Sequence, residues 1–203
     1  MNIFDKYYLR YDKWYDKNKE IFETELNALK KFEIKGDSIE IGVGTGRFAQ
    51  RLGIGFGVDV SEKMLSLAKE RGINTVKANG EDMPFKDNWF DNAAIIFSIC
   101  FIKNPLQVLK ETNRILKKKG SLILGIIDRG SSWGKYLSGK KGPFYKNTKF
   151  YTPKELIDMC KKTGFSYIES WQSLFQDPEE FNKVEIPRPG YGKGGFVGIR
   201  MEK

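Results

Sequence analysis

The segment Glu40-Ile41-Gly42-Val43-Gly44-Thr45-Gly46 restricts what this chain can fold into more than any other stretch. It follows a turn at Lys35-Gly36-Asp37 and a short apolar strand, and it leads into a helix. Glycines at every second position let the backbone bend sharply and leave no side chain between it and a ligand. A strand, a glycine loop and a helix in this order open a βαβ unit, which builds a parallel sheet. Glu40 lies two residues ahead of the first glycine, at the strand end. A carboxylate there is a poor neighbour for a pyrophosphate and a good one for an ammonium group.

The next two segments extend the pattern. Gly55–Val60 reads as a second strand with Asp59 near its end, seventeen residues after Gly42. In nucleotide-binding βαβ units an acid about 20 residues beyond the glycine loop accepts hydrogen bonds from ribose hydroxyls. The plainer reading of Asp59 is a strand-to-helix turn, with Ser61 capping a helix over Glu62–Arg71. A third strand, Ile73–Ala78, is followed by Asn79-Gly80-Glu81-Asp82-Met83-Pro84-Phe85. This stretch either reads the polar edge of an adenine or is an ordinary acidic loop closed by Pro84. The dinucleotide fingerprint would need its third glycine at position 47, which is Arg47, and Gly46 instead completes G-x-G-x-G. That weighs against a nicotinamide oxidoreductase. S-adenosylmethionine (SAM), with its ammonium, carboxylate, sulfonium and nucleoside, is the first candidate ligand.

These motifs together resemble those of class I SAM-dependent methyltransferases. The residues that carry the resemblance are Glu40–Gly46, Val58-Asp59-Val60-Ser61 with Met64, and Gly80–Phe85. Trp89-Phe90-Asp91, the run from Leu109-Lys110-Glu111 through Arg114-Ile115-Leu116 to Gly120, and Phe150–Leu156 leading to Gly164-Phe165 resemble the type 11 branch. The likeness spans residues 35–170. It implies an α/β Rossmann-like fold, a seven-stranded sheet, SAM at the ends of the first strands, and methyl transfer. One departure is Lys118-Lys119-Gly120 where the family often has Pro-Gly-Gly.

Composition narrows the chemistry. A chain of 203 residues fits one α/β unit with a sizeable core. No stretch reaches the ~18 apolar residues of a membrane helix. The longest apolar stretch, Ala93–Ile102, fits a buried central strand. The N-terminus lacks the apolar segment of a signal peptide, and Cys100 and Cys160 fit free thiols, so a cytoplasmic protein is expected. The chain contains no histidine. This excludes Ser-His-Asp and Cys-His nucleophiles and histidine-based zinc or iron sites, and no metal ligands are assigned. Methyl transfer from a sulfonium tolerates that lack, because the leaving group is a neutral thioether and in-line positioning supplies about 7–11 kcal/mol.

The net charge of +9 raises the question of nucleic acid. The densest run, Lys117-Lys118-Lys119, reads instead as the end of a helix, where cations complement the dipole. The strand ending at Ser98-Ile99-Cys100-Phe101 lacks the Asn/Asp-Pro-Pro-aromatic motif of enzymes that methylate base amino groups. Nucleic acid is therefore not the expected acceptor.

The chain is expected to form a single methyltransferase domain over 1–203, with no internal repeat. Asn18–Phe32 forms a helix capped by Asn18, Asn104-Pro105 opens another, and Thr152-Pro153-Lys154-Glu155 is a capping box. Helices on both faces of a mostly parallel sheet follow, with Ser121–Ile127, Ser166–Leu174 and Gly195–Met201 as later strands and the last one antiparallel. Residues 1–32 form an N-terminal helical lid. In it Phe4, Tyr8, Tyr11 and Trp14 or Tyr15 share an aromatic face that either packs on the domain or shields a sulfonium. Insertions at 128–150 and 176–193 exceed ordinary connections and are assigned to the substrate side. Glycines such as Gly130, Gly134, Gly139 and Gly142 are expected to let the first of them close.

The reading is a SAM-dependent methyltransferase acting on a small-molecule acceptor. Glu40 addresses the ammonium, directly or through water; Gly42, Gly44 and Gly46 admit the ligand. Asp59 takes the ribose, beside Val60, and Met64 packs on the adenine; Gly80, Glu81 and Asp82 frame its polar edge, and Ser98 lies near the methionyl part. Tyr11, Trp14, Asp128, Arg129, Tyr145, Arg188 and Tyr191 are the substrate-side candidates, and no catalytic base is assigned. The alternatives are a SAM- or nucleotide-binding module without turnover, and a methyltransferase acting on nucleic acid. Acceptor atom and oligomeric state are not readable from the sequence.

Overall fold

The computed structural model describes residues 3–145 and 148–203. Its centre is a twisted sheet built from β1 (Ser38–Ile41), β2 (Phe56–Asp59), β3 (Asn74–Lys77), β4 (Phe90–Ile96), β5 (Leu116–Ile127), β6 (Ser166–Ser173), β7 (Arg188–Pro189) and β8 (Phe196–Glu202). The spatial order is β3-β2-β1-β4-β5-β8-β6-β7. The first five strands pair in parallel, and β8 runs antiparallel between β5 and β6. The expected seven strands are therefore joined by an eighth, the two-residue β7, which pairs antiparallel with β6 at the sheet edge.

The sequence builds this sheet because its strands are apolar on both faces. Ile39, Ile41, Ala93, Ile95, Leu122 and Leu124 point to one core, which α5 (Pro105–Ile115) and α7 (Pro153–Lys162) cover with Leu109 and Leu156. Ala94, Ile96, Ile123 and Ile127 point the other way. There α2 (Lys19–Leu29), α3 (Arg47–Leu52) and α4 (Glu62–Glu70) supply Phe22, Leu26, Phe48 and Leu65. Successive strand residues face opposite sides. Glu40, between Ile39 and Ile41, must therefore point into the second layer, beneath α1 (Ile3–Lys17), α2 and α3.

Most local signals are met. Ser61 accepts from the Met64 N–H, Asn104 from the Gln107 N–H, and Thr152 with Glu155 forms a reciprocal capping box. Four readings change. Asn18 stands at the α2 N-cap, but its amide donates back to the Trp14 carbonyl at 2.7 Å and leaves the helix N–H groups alone. The α5 helix stops at Ile115, so Lys117–Lys119 belong to the start of β5; Lys117 pairs with Asp91 across the strands. The apolar stretch Ala93–Ile102 is not one strand. It breaks after Ile96, where Phe97 turns left-handed (φ 59°) into a short 3-10 helix, Ser98–Phe101. Finally, 128–150 contains a helix, α6 (Ser132–Gly139), and Gly134 is a packing residue. A Cβ there would lie 2.2 Å from the Asp128 carbonyl oxygen, so it is no hinge.

Candidate functional site

The carboxyl ends of β1, β2 and β4 face a cavity of about 440 Å³, roofed by Phe4 and Tyr11 of α1. The glycine loop forms its floor. Gly44 has φ +52°, and a Cβ on it would meet only a Tyr11 ring carbon, at 3.7 Å, so this residue faces open space. Gly42 serves a different end. Its missing Cβ makes room for Ser98, whose Cβ would otherwise be 2.3 Å away, and the Ser98 hydroxyl donates to the Ile41 carbonyl at 2.6 Å. The loop after β1 is thus locked to the turn after β4. Gly46 lies off the cavity wall and lets α3 pack on Ala68 of α4.

Asp59 joins this floor to the second strand. One of its oxygens accepts the Gly44 N–H at 2.9 Å, and the other accepts the Ser61 N–H at 2.8 Å. Burial pushes its carboxyl above the usual range, although those backbone donors oppose the shift. Val60, half exposed, and Met64, fully buried, form the adjacent wall. Beyond them lie Asn79, Gly80 and Glu81; the Asn79 side chain accepts the Glu81 N–H at 3.1 Å and so shapes that turn. Asp82 is exposed and outside the wall.

Glu40 lies just below the loop, 2 % exposed, with one carboxyl oxygen that has no hydrogen-bond partner among the described residues. Burial pushes its pKa well above the usual glutamate value, the Ala49 N–H acting against this and the Asp59 charge with it. Such a group is a receptor for a proton or a cation. Above it, the Tyr11 and Tyr15 hydroxyls share a hydrogen bond at 2.9 Å. Burial holds both phenols neutral, well above their ordinary range.

The orphaned carboxylate gives a pH prediction. A raised folded pKa means that Glu40 favours the native state below the unfolded value near 4.5, and that this advantage is lost as pH rises through the folded value. Buried Glu25 on α2 shifts in the same direction for the same reason. Above about pH 5, where the carboxyls that ion pairs hold low, such as Asp12 and Glu111, are already ionised, the free protein should therefore lose stability as the pH rises toward neutral. An ammonium-bearing ligand seated beside Glu40 would offset that loss, and the gain in melting temperature from S-adenosylhomocysteine (SAH) should then grow with pH. Scanning calorimetry at several pH values checks this. Glu40→Gln should flatten the ligand response, whereas Glu25→Gln should change free and liganded protein alike and leave the ligand response as it was.

The substrate-side candidates disperse. Tyr11 lines the cavity. Trp14 is 40 % exposed on the outer side of α1, stacked edge-on against Tyr15, which is the residue that turns inward. Asp128 is buried and folds back on the Gly130 N–H, and Arg129 pairs with Glu155 on α7. Tyr145 packs near Gly142, Arg188 lies over the Phe175 ring, and Tyr191 is exposed. None of these six is on the cavity wall. The expected loop 176–193 is tied down through Glu185, which accepts the Phe175 and Gln176 N–H groups. Phe101, Ile102 and Lys103 also stand on the wall, with no motif in the sequence to mark them, because the turn at Phe97 carries them there. Among the described residues no group of three or more acidic or cysteine side chains could hold a metal.

Comparison with known proteins adds the following. A family model described as a methyltransferase domain, of type 11, matches residues 39–124. An uncharacterised protein of Methanocaldococcus jannaschii is 47 % identical over the whole of both chains. The crystal structure of a SAM-dependent methyltransferase of Thermotoga maritima, described as a possible histamine N-methyltransferase, superposes with a TM-score of 0.95 at 42 % identity, covering 99 % of this chain and 98 % of the other. A demethylmenaquinone methyltransferase, also of T. maritima, is 26 % identical over 86 % of this chain and 90 % of its own. Asp59 and Gly44 are on the cavity wall, whereas Glu40 lies off it, buried beneath the glycine loop. Together they suit SAM: an acid for the ribose, an open glycine for close approach, and an unpartnered buried carboxyl for the ammonium.

Proposed function

The chain belongs to the SAM-dependent methyltransferases of the type 11 family, and within it we propose that it methylates a small molecule admitted to the cavity beneath α1. The observation that carries this reading is the cavity itself. Its 440 Å³ must hold the cofactor as well, and two rings of α1 roof it, so the space left beside the cofactor suits a small acceptor. A strand of nucleic acid would need an open, basic groove. Among the described residues the charged side chains on this wall are Asp59, Glu81 and Lys103.

SAM, when bound, supplies a methyl group on a sulfonium that leaves as a neutral thioether. The chain's contribution is to bind, orient and exclude water. Glu40 receives the ammonium, directly or through water, and the Gly44 backbone admits the methionyl chain, with Ser98 beside it. Asp59 accepts from the ribose hydroxyls. Met64 and Val60 flank the adenine, and Gly80 and Glu81 frame its edge together with Asn79, which stands on the wall where Asp82 does not. Tyr11 and Phe4 shield the sulfonium with ring faces. Tyr11 acts as a neutral hydrogen-bonding group and not as a base, since burial opposes its ionisation.

Mass spectrometry after incubation with methyl-labelled SAM and a panel of amines, phenols and quinols tests the acceptor class. Histamine belongs in the panel because of the possible activity given for the T. maritima neighbour, and a demethylated quinol because of the second relative. A single labelled small product is expected, without added metal. Label in RNA alone would overturn the small-molecule reading. Tight SAH binding with no labelled product, either from this panel or from a small-molecule cell extract, would favour a binding module.

A further inference from the structure

One carboxylate of the roof helix reaches the glycine loop through a second element, and nothing in the cofactor's own contacts requires it. Asp12 of α1 accepts two hydrogen bonds from Arg47, at 2.9 and 2.8 Å, and a third from Arg71 at 2.9 Å. Arg71 stands at the C-cap of α4, and its other guanidinium nitrogen donates to the carbonyl of Thr45 at 2.6 Å. Thr45 is the residue between Gly44 and Gly46, 1 % exposed. Burial opposes ionisation of Asp12, but the hydrogen bonds and charges of Arg47 and Arg71 outweigh it and hold the carboxyl well below the usual aspartate range. Arg47 also pairs with Asp16, which is solvent-facing. The partly buried half of the cluster (Asp12, Arg47 and Arg71 have side chains 13, 18 and 21 % exposed) is therefore distinct from the exposed half.

We propose that Arg71 and Asp12 are positioning residues that set the glycine loop for the cofactor, so that seating of α1 and shaping of the loop are one event. The chain of contacts runs Asp12–Arg71–Thr45, and Gly44, the next residue, faces the cavity and donates to Asp59. If Arg71 lets go of the Thr45 carbonyl, the loop loses the partner that fixes its peptide plane, and the approach surface at Gly44 is no longer held. Loss of Asp12 frees Arg71 in turn. Neither side chain is on the cavity wall, so both act through the loop. This rests on the cofactor reading above, in which the loop meets the methionyl end and Asp59 the ribose.

The test compares two ligands by calorimetry. SAH spans the loop; adenosine occupies only the ribose and adenine end. Arg71→Gln and Asp12→Asn should each weaken SAH about tenfold or more and leave adenosine within twofold. The double variant should be no weaker than the worse single one, because both act in one chain of contacts. Asp16→Asn, which relieves only the exposed pair, is the control and should leave both ligands within twofold. If Asp12→Asn does not fold, Arg71→Gln alone decides, since Asp12 then keeps Arg47. SAH affinity within twofold of the parent in Arg71→Gln overturns the proposal. So does an equal loss for SAH and adenosine, which would mean general loosening. If the parent protein binds neither ligand, it is the cofactor placement that fails, and the proposal with it.

Discussion

Gly44→Val is expected to abolish SAH binding, with affinity falling more than about a hundredfold, or ~2.7 kcal/mol. Two effects act at this position, and they separate. The first is backbone strain. Gly44 has φ +52°, where a side chain costs about 1–2 kcal/mol and a β-branched one more. The second is occlusion, because the Cβ direction points into the cavity with only Tyr11 at 3.7 Å in its path. Gly44→Ala carries the strain with little occlusion and should cost stability while keeping measurable binding. Gly44→Val adds two methyl groups inside the ligand space. Thermal melts combined with calorimetry distinguish these outcomes. Normal binding by the valine variant would show that the loop is only a turn.

Asp59→Ala should weaken SAH by about 1.5–3 kcal/mol from the lost charge-assisted bonds to the ribose, or roughly ten- to more than a hundredfold. The structure adds a second loss. The carboxylate also holds the Gly44 and Ser61 N–H groups, at 2.9 and 2.8 Å, so its removal frees the glycine loop and the α4 cap together. Asp59→Asn retains one acceptor oxygen and should fall between parent and alanine variant. Adenosine affinity should drop along with SAH in both, in contrast to the variants at Arg71. Unchanged affinity in Asp59→Ala would remove this residue from the site.

What could be read from the sequence was whatever depends on a few neighbouring residues. Strand identity follows from apolar residues on both faces, as in Ile95 with Ile96 and Leu122 with Ile123. Caps follow from a side chain reaching three residues ahead, as at Ser61, Asn104 and Thr152. The glycine loop and Asp59 come together because β1 and β2 pair in parallel, and the positions of both strands were already set by those local patterns. Local signals misled where tertiary contacts outweighed them. Lys117 follows Asp91 into the sheet instead of ending a helix, and Gly134 is small because Asp128 and Arg129 press on it.

Only the tertiary structure decided which of the many aromatic and charged residues reach the cavity. Periodicity placed Trp14 and Tyr15 on one helix alike, but contact with Phe22 and Phe48 turns Tyr15 inward and leaves Trp14 outside. Asp128, Arg129 and Arg188 follow strands in the chain, but Asp128 bonds the nearby Gly130 N–H, Arg129 pairs with Glu155 and Arg188 lies over Phe175, all away from the cavity. Asp12 and Arg71 stand 59 positions apart, and no spacing rule connects them. Sequence alone sets backbone conformation and burial through short-range sterics and hydrophobic pattern. The pairing of long, flexible charged side chains is settled only once the packed elements have fixed which of them can meet.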